Sequence, residues 1–208
     1  MTDKNAAVSR QGAVWLECCL WVVGLVALGL CALVWIQAWD AQQRASHELD
    51  QILSTPGLRT APRKLATGEL VGRLEIPRLG VSSMILEGAD AVTLGRGIGH
   101  LPQSPLPHAT GNIVLAAHRD TFFRALENIQ PADQITLTTP EGTRYWVVET
   151  TTVVESADTS LLTATKTPRL TLVTCFPFRF VGSAPQRFIV RCRELVRPAT
   201  NITQKSNA

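Results

Sequence analysis

The side chains best suited to covalent chemistry in this 208-residue chain are a cysteine, a histidine and an arginine, each at the end of an apolar run. Cys175 closes RLTLVTC and is followed by FPFRFVGSAP, a loop with Pro and Gly that ends the strand and sets the sulfur where a substrate can reach it. A lone cysteine in such a run is more often a buried, inert thiol. His118 closes a second run, NIVLAAH, where apolar sequence gives way to the polar turn RDT. A histidine there can be a plain structural donor. A thiol nucleophile, however, needs an imidazole to exchange its proton with, and separation along the chain is no obstacle to pairing in space. Arg187 begins the strand QRFIVRC, 12 residues after Cys175, far enough for a loop to bring the next strand back antiparallel beside the first. A guanidinium is always charged and offers several donors, so it can stabilise an oxyanion or hold a peptide carbonyl. At a strand start it is more often a solvated surface residue. His47, in a polar stretch, and His100 and His108, in the Pro-containing loop GHLPQSPLPHATGN, are weaker candidates with structural roles expected.

Strands must position these groups. From about Gly72 the sequence breaks into short β-rich runs separated by turn residues: GRLEIPRL, VSSMIL, NIVLAAH, QITLTT, RYWVVETTTVVE, RLTLVTC and QRFIVRC. Seven or eight strands are expected. Only two brief helical candidates interrupt them, ADAVTLGRG and TFFRALENI, with Asp120 placed to cap the second. This pattern predicts an antiparallel all-β barrel or sandwich with short inserted helices, and not an alternating α/β sheet. Alternation along QRFIVRC puts Arg187, Ile189 and Arg191 on one face and Phe188, Val190 and Cys192 on the other, so Cys192 faces away from Arg187.

Ahead of the strands, CCLWVVGLVALGLCALVWI, from Cys18 to Ile36, carries no charge over 19 residues. As a helix it spans about 28 Å, close to the hydrocarbon thickness of a bilayer. It exceeds the h-region of a signal peptide and no clean small-residue cleavage site follows, which predicts an uncleaved transmembrane signal-anchor over 18–36. Trp15, Trp35 and Trp39 lie near its ends, as indole rings prefer; Trp21 does not. Lys4, Arg10 and the N-terminal amine precede the run, whereas only Arg44 follows it before Pro56. The bias predicts a cytoplasmic N-terminus over 1–17 and an outward-facing soluble domain. Residues 37–68 read as a polar helical stalk and a linker, and 197–208 as a polar tail. A net charge of +3, with scattered Lys and Arg, does not build the basic surface that nucleic acid requires. Of five cysteines three fall in the apolar run, leaving no disulfide framework.

Taken together and in order, AAHRDTFFRALENI, LTLVTC and QRFIVRC resemble the His, TLxTC and Arg motifs of sortases, and HRDTFFR and TLVTCFPFRFVGSAPQRF are most similar to the class D branch. The resemblance covers roughly Gly72 to Val196. It implies an eight-stranded sortase-type β-barrel with short inserted helices, here a catalytic domain over 69–196, preceded by one transmembrane helix. It implies a cysteine transpeptidase in which Cys175 attacks an LPxTG-like sorting signal, His118 acts as acid and then base, and Arg187 stabilises the oxyanion. The thioester would be resolved by an amine acceptor of the cell envelope. Thr174 is a candidate substrate-binding residue, by helping Arg187. The family implies no obligatory cofactor; some members respond to calcium, but the sequence holds no compact Asp/Glu cluster for it.

Two other readings compete. L,D-transpeptidases also pair Cys with His, but their SxGCxR motif is not matched where Thr174 precedes Cys175 and Phe176 and Pro177 follow. A membrane-tethered β-domain that only binds a partner would require His118, Cys175 and Arg187 to coincide by chance.

Overall fold

A computed structural model of the chain describes residues 3–54, 64–180 and 182–195. The linker expected at 55–63 and the tail at 197–208 lie outside them. The chain divides into two compact units, Met1–Ala41 and Gln42–Ala208.

The first unit is the beginning of one long helix, α1 (Asp3–Ser54), of 52 residues, which runs without a break through the apolar segment and the polar stretch. Along it Leu20, Trp21, Val23, Leu25, Leu28 and Ile36 are each more than half exposed. Among the described residues no helix is long and apolar enough to cross a membrane. The side chains of Val34 and Trp35, inside the expected span, lie outside the described set.

The second unit is built on eight strands: β1 (Leu70–Ile76), β2 (Val81–Glu87), β3 (Ile98–His100), β4 (Asn112–Ala116), β5 (Gln134–Thr139), β6 (Gly142–Glu155), β7 (Arg169–Phe176) and β8 (Gln186–Leu195). They close into a barrel in the order β1-β2-β3-β4-β7-β8-β6-β5. Closure is tight where β5 meets β1, since a Cβ at Gly72 would lie 2.3 Å from the Thr138 carbonyl oxygen. The interior is filled by one side of each strand, including Leu74, Ile85, Ile98, Ile113, Leu115, Ile135, Trp146, Leu170, Leu172 and Val190. Fully burying such a side chain contributes about 1.5–3 kcal/mol relative to leaving it exposed. Leu49, from the end of α1, is also buried. Gln42, in the same part of the helix, accepts from the Met84 N–H at 2.9 Å.

The barrel is not wholly antiparallel, as the sequence pattern suggested. The β2–β3 and β4–β7 pairs run parallel. The β2–β3 pair is joined across α2 (Ala91–Arg96), whose N-cap is Asp90, accepting from Val92 and Thr93 at 3.0 and 3.1 Å. β3 is three residues long, too short to show a period, so His100, expected in a loop, ends a strand instead. The second expected helix, TFFRALENI, is a 3₁₀ turn over Arg124–Asn128, and Asp120 does not cap it. Phe123 and Leu126 both enter the core at a spacing of three, which matches the three residues per turn of a 3₁₀ helix.

Candidate active site

Three adjacent strands, β4, β7 and β8, carry the three candidate residues. On β4 and just beyond it Ile113, Leu115 and Ala117 belong to the core, so alternation sends Asn112, Val114, Ala116 and His118 to the outside of the barrel wall. On β7 Leu170 and Leu172 point inward and Thr174 follows them, leaving Thr171, Val173 and Cys175 outside. On β8 Val190 and Cys192 point inward and Arg187, Ile189 and Arg191 outward.

The register brings one member of each outer set into a row. Cys175 is directly opposite Arg187 in the antiparallel β7–β8 pair. Ala116 pairs with Val173 in the parallel β4–β7 pair, and the Ala117 N–H donates to the Val173 carbonyl at 3.2 Å. Continued two residues, that register sets His118 beside Cys175. Neighbouring strands lie about 4.8 Å apart, so the backbone positions of His118 and Arg187 fall on either side of that of Cys175. His118 is exposed and Cys175 and Arg187 half-buried, which keeps the row open to a ligand.

The backbone around the row is fixed by local bonds. The Phe123 N–H donates to the His118 carbonyl at 3.1 Å, curling the chain back immediately after the histidine. Thr174, proposed from sequence as a substrate contact, is 2% exposed, and its hydroxyl donates inward to the Ala117 carbonyl at 2.8 Å. Its side chain therefore ties the two strand ends that carry Cys175 and His118. Arg187 Nη1 donates to the carbonyls of Ala184 and Gln186 at 3.2 and 2.9 Å, leaving its Nε and Nη2 donors for other partners.

The other cysteine of the barrel is set differently. Cys192 is buried among core side chains, and burial, with a smaller contribution from the Glu149 carboxylate, pushes its thiol well above the ordinary range. His100 is buried too, with Nδ1 at 2.6 Å from Glu87 and Nε2 at 3.1 Å from the Pro105 carbonyl. Ser104 Oγ, 3.0 Å from the same Nε2, already donates its hydrogen to the Leu101 carbonyl at 2.8 Å. Nδ1 thus ties β3 to β2, and Nε2 holds the Pro-containing loop to the barrel. His108 lies 3.8 Å from Glu141, and His47 is exposed on α1. Among the described residues no group of three or more His, Cys, Asp or Glu is placed to hold a metal.

Two residues outside the sequence reading shape the surroundings. Asn112 is 1% exposed; its Nδ2 donates to the Leu161 and Thr163 carbonyls, both at 3.1 Å, and its Oδ1 accepts from Thr171 Oγ1 at 2.6 Å. It holds the β6–β7 connection against the outer face that bears the row. Arg119, next to His118, reaches the β7–β8 loop: its Nη2 donates to the Phe180 and Gly182 carbonyls at 2.6 and 3.1 Å. Their only signal in the sequence is position, one at the start of a strand and one after the histidine.

Comparison with known proteins agrees with this architecture. The family model described as Sortase domain matches residues 74–195. The chain is 40% identical over 128 residues to "Sortase D" of Bacillus subtilis (strain 168), covering 61% of this chain and 65% of that protein. It is 28% identical over 110 residues to "Sortase A" of Listeria monocytogenes, covering 51% of this chain and 49% of that one. The chain thus spans just under two thirds and about half of the length of these curated relatives. Among solved structures, the Clostridium perfringens Sortase D5 transpeptidase superposes with a TM-score of 0.66 at 22% identity, over 75% of this chain and 99% of that one. Sortase A from Corynebacterium diphtheriae gives 0.60 at 24% identity, over 79% and 86%. These two likenesses concern the fold.

Proposed function

The chain belongs to the sortase family, with a likeness to its class D members, and from that premise we propose that it is a membrane-anchored cysteine transpeptidase acting on an LPxTG-like sorting signal. The Cys175 thiolate attacks the Thr carbonyl carbon of the signal, forming a C–S bond and an oxyanion that Arg187 stabilises. Collapse breaks the C–N bond, and His118 gives its proton to the departing amine. The resulting thioester is attacked by an amine of the cell envelope. His118 takes the proton of that amine, and the thiolate leaves as the new amide forms. The observation that supports this reading is the strand register, which pairs Arg187 directly with Cys175 and, when the β4–β7 pairing is continued two residues, brings His118 to the same edge. A domain that only binds a partner has no need of this arrangement.

The anchor belongs to the same proposal: the uncharged run 18–36 spans the membrane, with 1–17 cytoplasmic and the barrel outside. Support comes from the run's length and from large apolar side chains left exposed along α1, which a helix in water would bury.

The decisive experiment incubates the protein with a panel of LPxTG-type peptides and follows acyl-enzyme by mass spectrometry. Wild type and Cys192→Ala are expected to form the thioester, and Cys175→Ala none. A folded protein that forms no adduct with any peptide of the panel would favour the binding-domain alternative.

A further inference from the structure

The β7–β8 loop, residues 177–185, joins the strand of the nucleophile to the strand of the oxyanion donor, and it is held at several points by one segment. Arg119 Nη2 binds the Phe180 and Gly182 carbonyls, and its guanidinium lies 5.8 Å from the centre of the Phe180 ring. Arg124 Nη1 donates to the Phe178 carbonyl at 3.3 Å, and Glu127 pairs with Arg179 at 3.2 Å. All three holding residues lie within ten residues of His118. Farther along, the loop offers the Ala184 carbonyl to Arg187 Nη1, which also donates to the carbonyl of Gln186, the first residue of β8.

A chain of contacts therefore runs from the residue beside the acid/base to the Phe180 and Gly182 carbonyls, along the backbone from Gly182 to Ala184, and on to the residue opposite the thiol. Gly182, with φ of 100°, sits in the middle of this path, in a backbone region open chiefly to glycine. A loop of this kind has many conformations available unless it is tied. The strongest tie is Arg119, whose single Nη2 spans two carbonyls, whereas the Arg124 contact is longer and single. Arg179 is mostly exposed, so its pair with Glu127 is a weak one.

We propose that Arg119 is a positioning residue of the reaction: by gripping the Phe180 and Gly182 carbonyls it fixes the loop from which Arg187 is suspended, and so sets where the oxyanion donors point. The proposal rests on the transpeptidase reading, because it concerns the placement of a group that acts on the transition state. Its consequence is specific. Arg119 contributes to turnover only through Arg187, so its removal matters only while Arg187 is present.

The test is a double-mutant cycle on the full chain in detergent micelles, with steady-state turnover of an LPxTG-type peptide that the wild type cleaves. Arg119→Ala is expected to lower kcat about tenfold to a hundredfold, the range that a misplacement of about 1 Å can cause. Arg119→Lys, which keeps the charge but not the paired donation, is expected to recover only part of this. Arg187→Ala is expected to abolish most of kcat, and adding Arg119→Ala to it to change kcat by less than about twofold. Thermal melts establish folding, and if Arg119→Ala does not fold, Arg119→Lys takes its place in the cycle. Losses that multiply in the double mutant, or a wild-type kcat in Arg119→Ala, overturn the proposal and leave the transpeptidase reading standing. A wild-type kcat in Arg187→Ala overturns the proposal together with the oxyanion role of Arg187, whereas a wild type that turns over no LPxTG-type peptide overturns the transpeptidase reading itself.

Discussion

At the scale of single residues, Arg187 is the position where chemistry and binding can be separated. It lies opposite Cys175 with its Nη1 engaged by the Ala184 and Gln186 carbonyls and its other donors free to face an oxygen beside the thiol. In the proposed mechanism charge on that oxygen appears only during reaction, so the loss of Arg187 is expected to fall on turnover. Arg187→Ala should lower kcat about 100-fold to 1,000-fold with a smaller change in KM. Arg187→Lys should restore little, since an ammonium lacks the planar, multi-donor geometry. Arg191 shares the outer face but pairs with Thr171, four residues along the strand and about 13 Å away. Arg191→Ala should stay active. Equal losses in both would indicate damage to β8 as a whole, and a pure KM effect at Arg187 would make it a substrate clamp.

Elements are held in place by a few buried polar groups. Asn112 uses both Nδ2 hydrogens and its Oδ1 to join β4, β7 and the β6–β7 connection, so Asn112→Ala leaves two carbonyls and the Thr171 hydroxyl without this partner. Denaturant titration should show a loss of about 1–3 kcal/mol. If the connection lines the peptide's path, KM should rise more than kcat falls; an unchanged KM would reduce Asn112 to a purely structural role. Arg78, in the turn after β1, holds Asp133, at the start of β5, through Nε and through Nη2 at 2.6 Å. The Arg78 hydrogen bond, together with the Gln130 N–H, keeps the Asp133 carboxyl below the usual carboxylate range, against the effect of burial. A carboxyl depressed in the folded state contributes stability above its unfolded pKa, about 3.9, and loses it as pH falls through the folded value. Stability of the wild type should therefore decline below about pH 4, and Asp133→Asn should decline less from its own starting point. Equal declines in denaturant titrations at pH 6 and pH 3 would remove Asp133 from the acid response.

For the molecule as a whole, the proposed anchor makes a topology that can be tested, with the barrel outside the membrane. The charge difference across the apolar run, Lys4 and Arg10 before it against Arg44 soon after, is small, so the proposed orientation has to be measured. Protease added to intact spheroplasts should remove the barrel, residues 70–195, and leave a short protected fragment. A barrel that survives until lysis would place it inside and defeat the topology.

Residue order alone is enough to say which segments can form strands and which side of each strand is apolar. Those are local properties: alternation in RLTLVTC and QRFIVRC already separates Cys175 and Arg187 from the buried Thr174 and Cys192. It also placed His118, Cys175 and Arg187 at strand ends, because each marks a change from apolar to polar sequence. It did not determine which ends meet. That depends on pairing between segments such as Asn112 and Arg169, 57 residues apart, and pairing is settled only when the barrel closes and both sides of a strand find neighbours. The parallel β4–β7 pair is the decisive case. Two strands that end in reactive residues bring those residues to the same edge only if they run the same way; antiparallel, as the pattern suggested, they would sit at opposite ends. The inward bond of Thr174, the His100–Glu87 pair and the grip of Arg119 were hidden for the same reason, since each joins residues whose nearness is created by the fold.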